Sequence, residues 1–161
     1  MKSAIFYYSY SGNTRKIAQD LGDYLRQEYE VEILELRAKD ESANFLGQCK
    51  RAFWHKQAEV ETINFDLSPY DLICLGTPVW AFGPAPAVNT FLDKCSGVWG
   101  KKMILFTTYG SGTGNRRCLN YMQDILARKG AKRCKQFSIS QRQVNNKEFA
   151  LSKIKEAGCS E

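Results

Sequence analysis

No apolar run in the 161 residues approaches the ~20 needed to cross a bilayer. The opening "MKSAIFYY" turns polar too soon for a secretory leader, so a cytoplasmic protein is expected. Histidine is nearly absent, with His55 alone, and the six cysteines (Cys49, Cys74, Cys95, Cys118, Cys134, Cys159) form no C-x-x-C pair. Zinc and iron–sulfur ligation are thereby disfavoured, and no metal is expected. Cys74 lies in an apolar run, and Cys95 and Cys118 keep helical spacing with apolar neighbours, so free, buried thiols are expected rather than a disulfide framework. Acidic residues are in deficit, 17 against 23 basic, for a net charge of +6. The basic residues come as separated pairs (Lys50-Arg51, Lys101-Lys102, Arg116-Arg117, Lys132-Arg133) without a dense stripe, which reads as a solvated surface. Neither nucleic acid nor membrane is therefore expected as a partner. Both the G-x-x-x-x-G-K-[ST] and the G-x-G-x-x-G spacings are missing, which excludes a P-loop and disfavours Rossmann-type dinucleotide binding.

What is present is an alternation. Apolar, strand-like runs occur at 4–8, 31–36, 72–76, 103–108 and about 134–139. The first, third and fourth are nearly continuous, as in central parallel strands buried on both faces. Between them lie helical stripes: Ile17, Leu21 and Leu25; Val88, Leu92 and Cys95 after Pro86; Leu119, Met122 and Leu126 after Asn115; and a weaker one at Phe149, Leu151 and Ile154. Length, 43% hydrophobic and 25% charged content, and the lack of repeats or linkers indicate one domain spanning 1–161. The pattern is that of a doubly wound α/β sheet with its ligand site beyond the carboxyl ends of the strands. That directs attention to the loops 9–14, 77–86 and 109–115.

In the first loop, Ser9, Ser11, Asn13 and Thr14 offer side-chain donors beside a helix start, where unpaired N–H groups and the dipole favour an anion. Gly12 permits a sharp turn and close backbone approach. The combination suits a single phosphate, although a plain helix cap uses the same residue types.

Ser9-Tyr10-Ser11-Gly12-Asn13-Thr14 is similar to the T/S-x-T/S-G-N-T phosphate loop of the flavodoxin-like family. The resemblance extends to "GTPVWAFGPAP" after the third strand and "TTYGSGTGN" after the fourth, so it covers nearly the whole chain. It implies a three-layer sandwich with a five-stranded parallel sheet in the order 2-1-3-4-5, and bound FMN. It also implies that the flavin is held by Ser9, Ser11, Gly12, Asn13 and Thr14, by Thr77, Pro78, Val79, Trp80, Ala81 and Phe82, and by Thr108, Tyr109, Gly110, Gly112 and Gly114. Trp80 and Tyr109 are the candidates to stack on the ring.

Many electron-carrying members read G-x-x-x-W-G-D where this chain has Gly76-Thr77-Pro78-Val79-Trp80-Ala81-Phe82. In that family the glycine peptide turns over on reduction, which a residue bearing a Cβ resists by roughly 1 kcal/mol or more. Phe82 in place of the aspartate removes a negative charge beside the reduced ring. Both changes, with the basic balance, favour an oxidoreductase passing electrons from a nicotinamide or reductase donor to a quinone-like or other small acceptor. The flavodoxin alternative, a one-electron carrier between redox proteins, stays open. No side chain is needed as acid or base, so no catalytic residue is assigned. Trp54 and His55, within the long segment 38–69, are candidates for a lid.

Overall fold

Ala4, Ile5 and Phe6 are consecutive and almost wholly buried, because strand β1 (Lys2–Tyr7) has a helical layer on each of its faces. The computed structural model describes residues 1–38, 59–61, 63–110 and 112–158. Cys49, Trp54, His55 and Cys159 lie outside them. After β1 come α1 (Asn13–Leu25), β2 (Glu30–Glu35), β3 (Leu72–Pro78), α2 (Pro86–Lys94), β4 (Lys102–Tyr109), α3 (Asn115–Arg128), β5 (Arg133–Ser140) and α4 (Lys147–Gly158). The strands form one sheet, β2-β1-β3-β4-β5, with every neighbouring pair parallel. This is the expected doubly wound α/β arrangement.

The pleat divides the core. Ala4, Phe6, Ile73, Leu75, Met103 and Leu105 face α2 and α3, meeting Val88, Phe91, Met122 and Leu126. Their alternates Ile5, Cys74, Ile104 and Phe106 face α1 and α4, meeting Ile17, Leu21, Ala150 and Ile154. Each large side chain buried this way contributes about 1.5–3 kcal/mol. The sheet thus carries two independent apolar layers, and its carboxyl edge is free for ligand chemistry.

Gly76 is fixed by packing. A Cβ there would collide with the ring of Phe106, which stacks on Phe137 at 5.5 Å and 9°. Gly76→Ala is therefore expected to cost about 1–3 kcal/mol, measured as a lower midpoint in chemical unfolding.

At the β2 edge, the Tyr70 hydroxyl donates to Glu32 Oε2 at 2.8 Å. Partial burial, then the bond to Glu32, push its pKa up to about 12. A raised folded value means the contribution is complete below the ordinary tyrosine pKa near 10 and is lost as pH climbs from there towards 12. Across that window the unfolding midpoint of Tyr70→Phe should fall less steeply than that of the parent.

Candidate functional site

β1 ends at Tyr7, and the chain turns through Ser9–Gly12 into α1. Gly12 has φ 88°, a left-handed conformation that costs a residue with a Cβ about 1–2 kcal/mol. A Cβ built on it meets no atom within 4 Å, so the space in front of it is open. No side chain caps α1 at Gly12, and its first turn holds no acid. Ser9 Oγ accepts the Arg15 N–H at 3.2 Å and keeps its own proton to donate. Arg15 leans away to Glu35, 2.6 Å from it, and this pairing, helped by Tyr7, secures the guanidinium charge.

Thr14 stands apart from the other loop residues. Its hydroxyl is buried and shares a 2.8 Å hydrogen bond with Thr108 Oγ1, tying the start of α1 to the end of β4. It therefore fixes the two loops relative to each other. Thr14→Ala should cost about 1–3 kcal/mol by stranding the Thr108 hydroxyl, and a double-mutant cycle with Thr108→Ala should recover part of that cost.

After β3, Trp80 and Gly83 exchange two backbone hydrogen bonds of 2.9 Å each, closing a two-residue turn on Ala81 and Phe82. Both turn residues have positive φ, 46° and 68°, as a type I′ turn requires, although neither is glycine or asparagine. Thr77 Oγ1 braces the loop from below by accepting the Ala85 N–H at 3.0 Å and donating to the Pro78 carbonyl at 2.9 Å. Val79 N–H donates to the Thr108 carbonyl, joining this loop to β4 as well.

Trp80 is only 5% exposed, with its ring edge-to-face against Tyr8 at 5.5 Å and Tyr10 at 5.7 Å. The structure thus packs Trp80 against two tyrosines of the first loop. The exposed ring of the turn is Phe82, at 46%, with the Arg117 guanidinium 6.0 Å from its centroid.

Phe82 also touches the third loop. A Cβ on Gly114 would lie 2.6 Å from Phe82 Cδ1, so the ring rests directly on that glycine. Gly114 has φ 86° and begins α3 as Gly12 begins α1, without a side-chain cap or an acid in the first turn. Tyr109 is half-buried at the end of β4, and its carbonyl accepts the Gln141 N–H at 2.8 Å. Gly110 and Gly112 are exposed, with open space in front of Gly112. Asn115 donates to Ser138 Oγ at 2.9 Å, anchoring α3 to β5. The three predicted loops are thus brought together at one edge, with two helix N-termini free of acid.

The model of one family, "NADPH-dependent FMN reductase", matches residues 1–144. The chain belongs to that family. It is an FMN-binding, flavodoxin-like oxidoreductase, and membership of this reductase family implies a nicotinamide as electron donor. The carrier alternative is the less favoured one. Solved structures share the fold. A flavoprotein from Lactobacillus acidophilus NCFM, in complex with FMN, is 23% identical over 91% of this chain and 98% of that one, with a TM-score of 0.69. An apo NADH:FMN oxidoreductase is 16% identical over 98% of this chain and 86% of that one (TM-score 0.68). Oxidised flavodoxin 1 from Bacillus cereus is 20% identical over 96% and 98% (TM-score 0.62).

FMN fits what the FMN reductase site presents. The open space before Gly12, the α1 N-terminus with no acid in its first turn, and the Ser9 hydroxyl suit a phosphate, and the one carboxylate paired there, Glu35, is neutralised by Arg15.

Missing from the sequence reading were the rest of Phe82 on Gly114 and the bond between Thr14 and Thr108. A signal for the two helix starts was present: Gly-Asn occurs at 12–13 and again at 114–115.

Proposed function

We propose that Ser9, Ser11, Gly12 and Asn13 hold the FMN phosphate and that the turn 80–83 and the loop 109–114 hold its ring. We further propose that the acceptor is quinone-like or another small molecule. The observation that carries this reading is the left-handed Gly12, with open space before it and no side chain of its own to cap the helix it begins. Bound FMN supplies hydride acceptance from the nicotinamide and its return to the acceptor.

The protein's part is orientation and electrostatics. Phe82 resting on Gly114 gives the site one apolar wall. Phe82 offers an aromatic surface to a planar substrate. Arg117 places positive charge near that wall, favouring an anionic reduced ring or a substrate bearing phosphate. Thr14, Thr108 and Thr77 hold the loops at fixed separation.

The test is discrimination between FMN and riboflavin, which lacks the phosphate. Two charge-assisted hydrogen bonds lost should weaken riboflavin binding by at least about 100-fold. Equal affinity would show that the 9–14 loop is only a helix cap.

A further inference from the structure

Separated in sequence, the basic pairs at 101–102 and 132–133 are neighbours in the fold. β4 and β5 start side by side, with Lys102 in register with Arg133. The connections that lead into them are stitched together by Gly100 N–H to the Gly130 carbonyl (2.8 Å) and Lys132 N–H to the Lys101 carbonyl (3.0 Å). Residues 97–103 and 126–135 hold seven of the 23 Lys and Arg and no acid, leaving 16 basic against 17 acidic residues elsewhere. These two segments are basic throughout, and in the fold Glu28, which lines the same concavity as Lys102 and Lys135, and Asp71, one residue before the strand partner of Lys102, lie beside them.

At its tip stands Trp99, 82% exposed, between Gly97 and Gly100, both at positive φ. Its ring abuts Gly130, where a Cβ would collide with it. Apart from that contact the indole is open to solvent, so most of its apolar surface stays unburied. The corner is held in shape by two lysines that donate to carbonyls: Lys101 Nζ to Ser68 (2.9 Å), and Lys129 Nζ to Asp93 (2.6 Å) and Cys95 (2.8 Å). Lys102, Arg128 and Lys132 are exposed around it. Asp66 and Asp93 lie at its border.

We propose that this corner docks the protein on anionic phospholipid surfaces, with Trp99 entering the headgroup layer and the surrounding cations meeting lipid phosphates. No helix among the described residues is long and apolar enough to cross a membrane, so this is attachment to a surface. Charge complementarity and a protruding indole are the two contributions that interfacial attachment uses. A nucleic-acid track would present several aromatics for successive bases, whereas Trp99 is the sole aromatic of the two basic segments. The corner sits at the start of β4 and the flavin site at its end. Eight residues at about 3.3 Å each separate them by roughly 25 Å. Docking there leaves the flavin site facing away from the surface and open to soluble donors.

The experiment is co-sedimentation of the FMN-loaded protein with vesicles of phosphatidylcholine alone or mixed with phosphatidylserine. Binding should require phosphatidylserine and fade as salt is raised. Removing one cation should weaken it roughly fivefold, so Lys102→Glu with Lys132→Glu should weaken it at least about 25-fold. Trp99→Ala should lower it as well, and both variants should keep FMN affinity, which separates this proposal from the flavin reading. Equal binding to both vesicle types would overturn the proposal, as would unchanged binding by either variant. Binding to single-stranded oligothymidine without binding to vesicles would overturn it in favour of a nucleic-acid surface.

Discussion

Gly12→Val is expected to reduce FMN affinity by at least about 100-fold while leaving the protein folded. Valine at φ 88° costs about 1–2 kcal/mol of stability, small beside the 5–15 kcal/mol typical of a domain. The effect on binding is larger because the valine methyl groups would project into the space now open before Gly12, at the start of α1. The energetic loss combines steric exclusion with charge-assisted bonds worth about 1.5–3 kcal/mol each. Titration of the apoprotein with FMN, read by quenching of flavin fluorescence, gives the affinity, and circular dichroism checks the fold. Retained affinity in a folded variant would place the phosphate elsewhere.

The second large effect is expected on redox potential. Phe82→Asp puts a carboxylate into the exposed turn beside the proposed ring site. At about 6 Å and an effective dielectric of 20, a unit negative charge destabilises an anionic reduced flavin by about 2.8 kcal/mol. For a two-electron couple that is roughly 60 mV. Arg117, now 6.0 Å from the Phe82 ring, would pair with the new carboxylate and reduce the shift, so Phe82→Asp combined with Arg117→Ala should fall further than Phe82→Asp alone. Ala81→Gly acts differently. Ala81 and Phe82 already occupy left-handed conformations, so the cost that the sequence reading attached to a change on reduction is present in the folded state at rest. Adding Ala81→Gly to Phe82→Asp should therefore release turn strain of about 1 kcal/mol, read as a higher midpoint in chemical unfolding.

The sheet was legible because its central strands are apolar on successive residues, a pattern that burial on both faces produces. The runs at 4–8, 72–76 and 103–108 correspond to β1, β3 and β4 within two residues at each end. Helix starts were legible where Gly-Asn precedes an apolar stripe. What stayed hidden depends on contacts between distant segments. Thr14 reads from its own loop as a phosphate donor, and the bond its hydroxyl also shares with Thr108 comes only from the approach of β4. Trp80 looks like a loop aromatic waiting for a ligand, and only the positions of Tyr8 and Tyr10 show that it is enclosed. The turn at Ala81 and Phe82 contains no residue that prefers positive φ, so its closure by Trp80 and Gly83 overrides local preference. Basic pairs thirty residues apart read as scattered until parallel pairing of β4 and β5 brings them together.

The most direct measurement of the central claim is anaerobic addition of NADPH to the purified, FMN-loaded protein with no other protein present. An oxidoreductase of this kind should lose its visible flavin absorbance at one NADPH per flavin, without a lasting one-electron intermediate, and recover it when a small quinone is added. A flavin that stays oxidised under excess NADPH, yet is reduced by dithionite through an accumulating one-electron state, would contradict the account and make the protein a carrier.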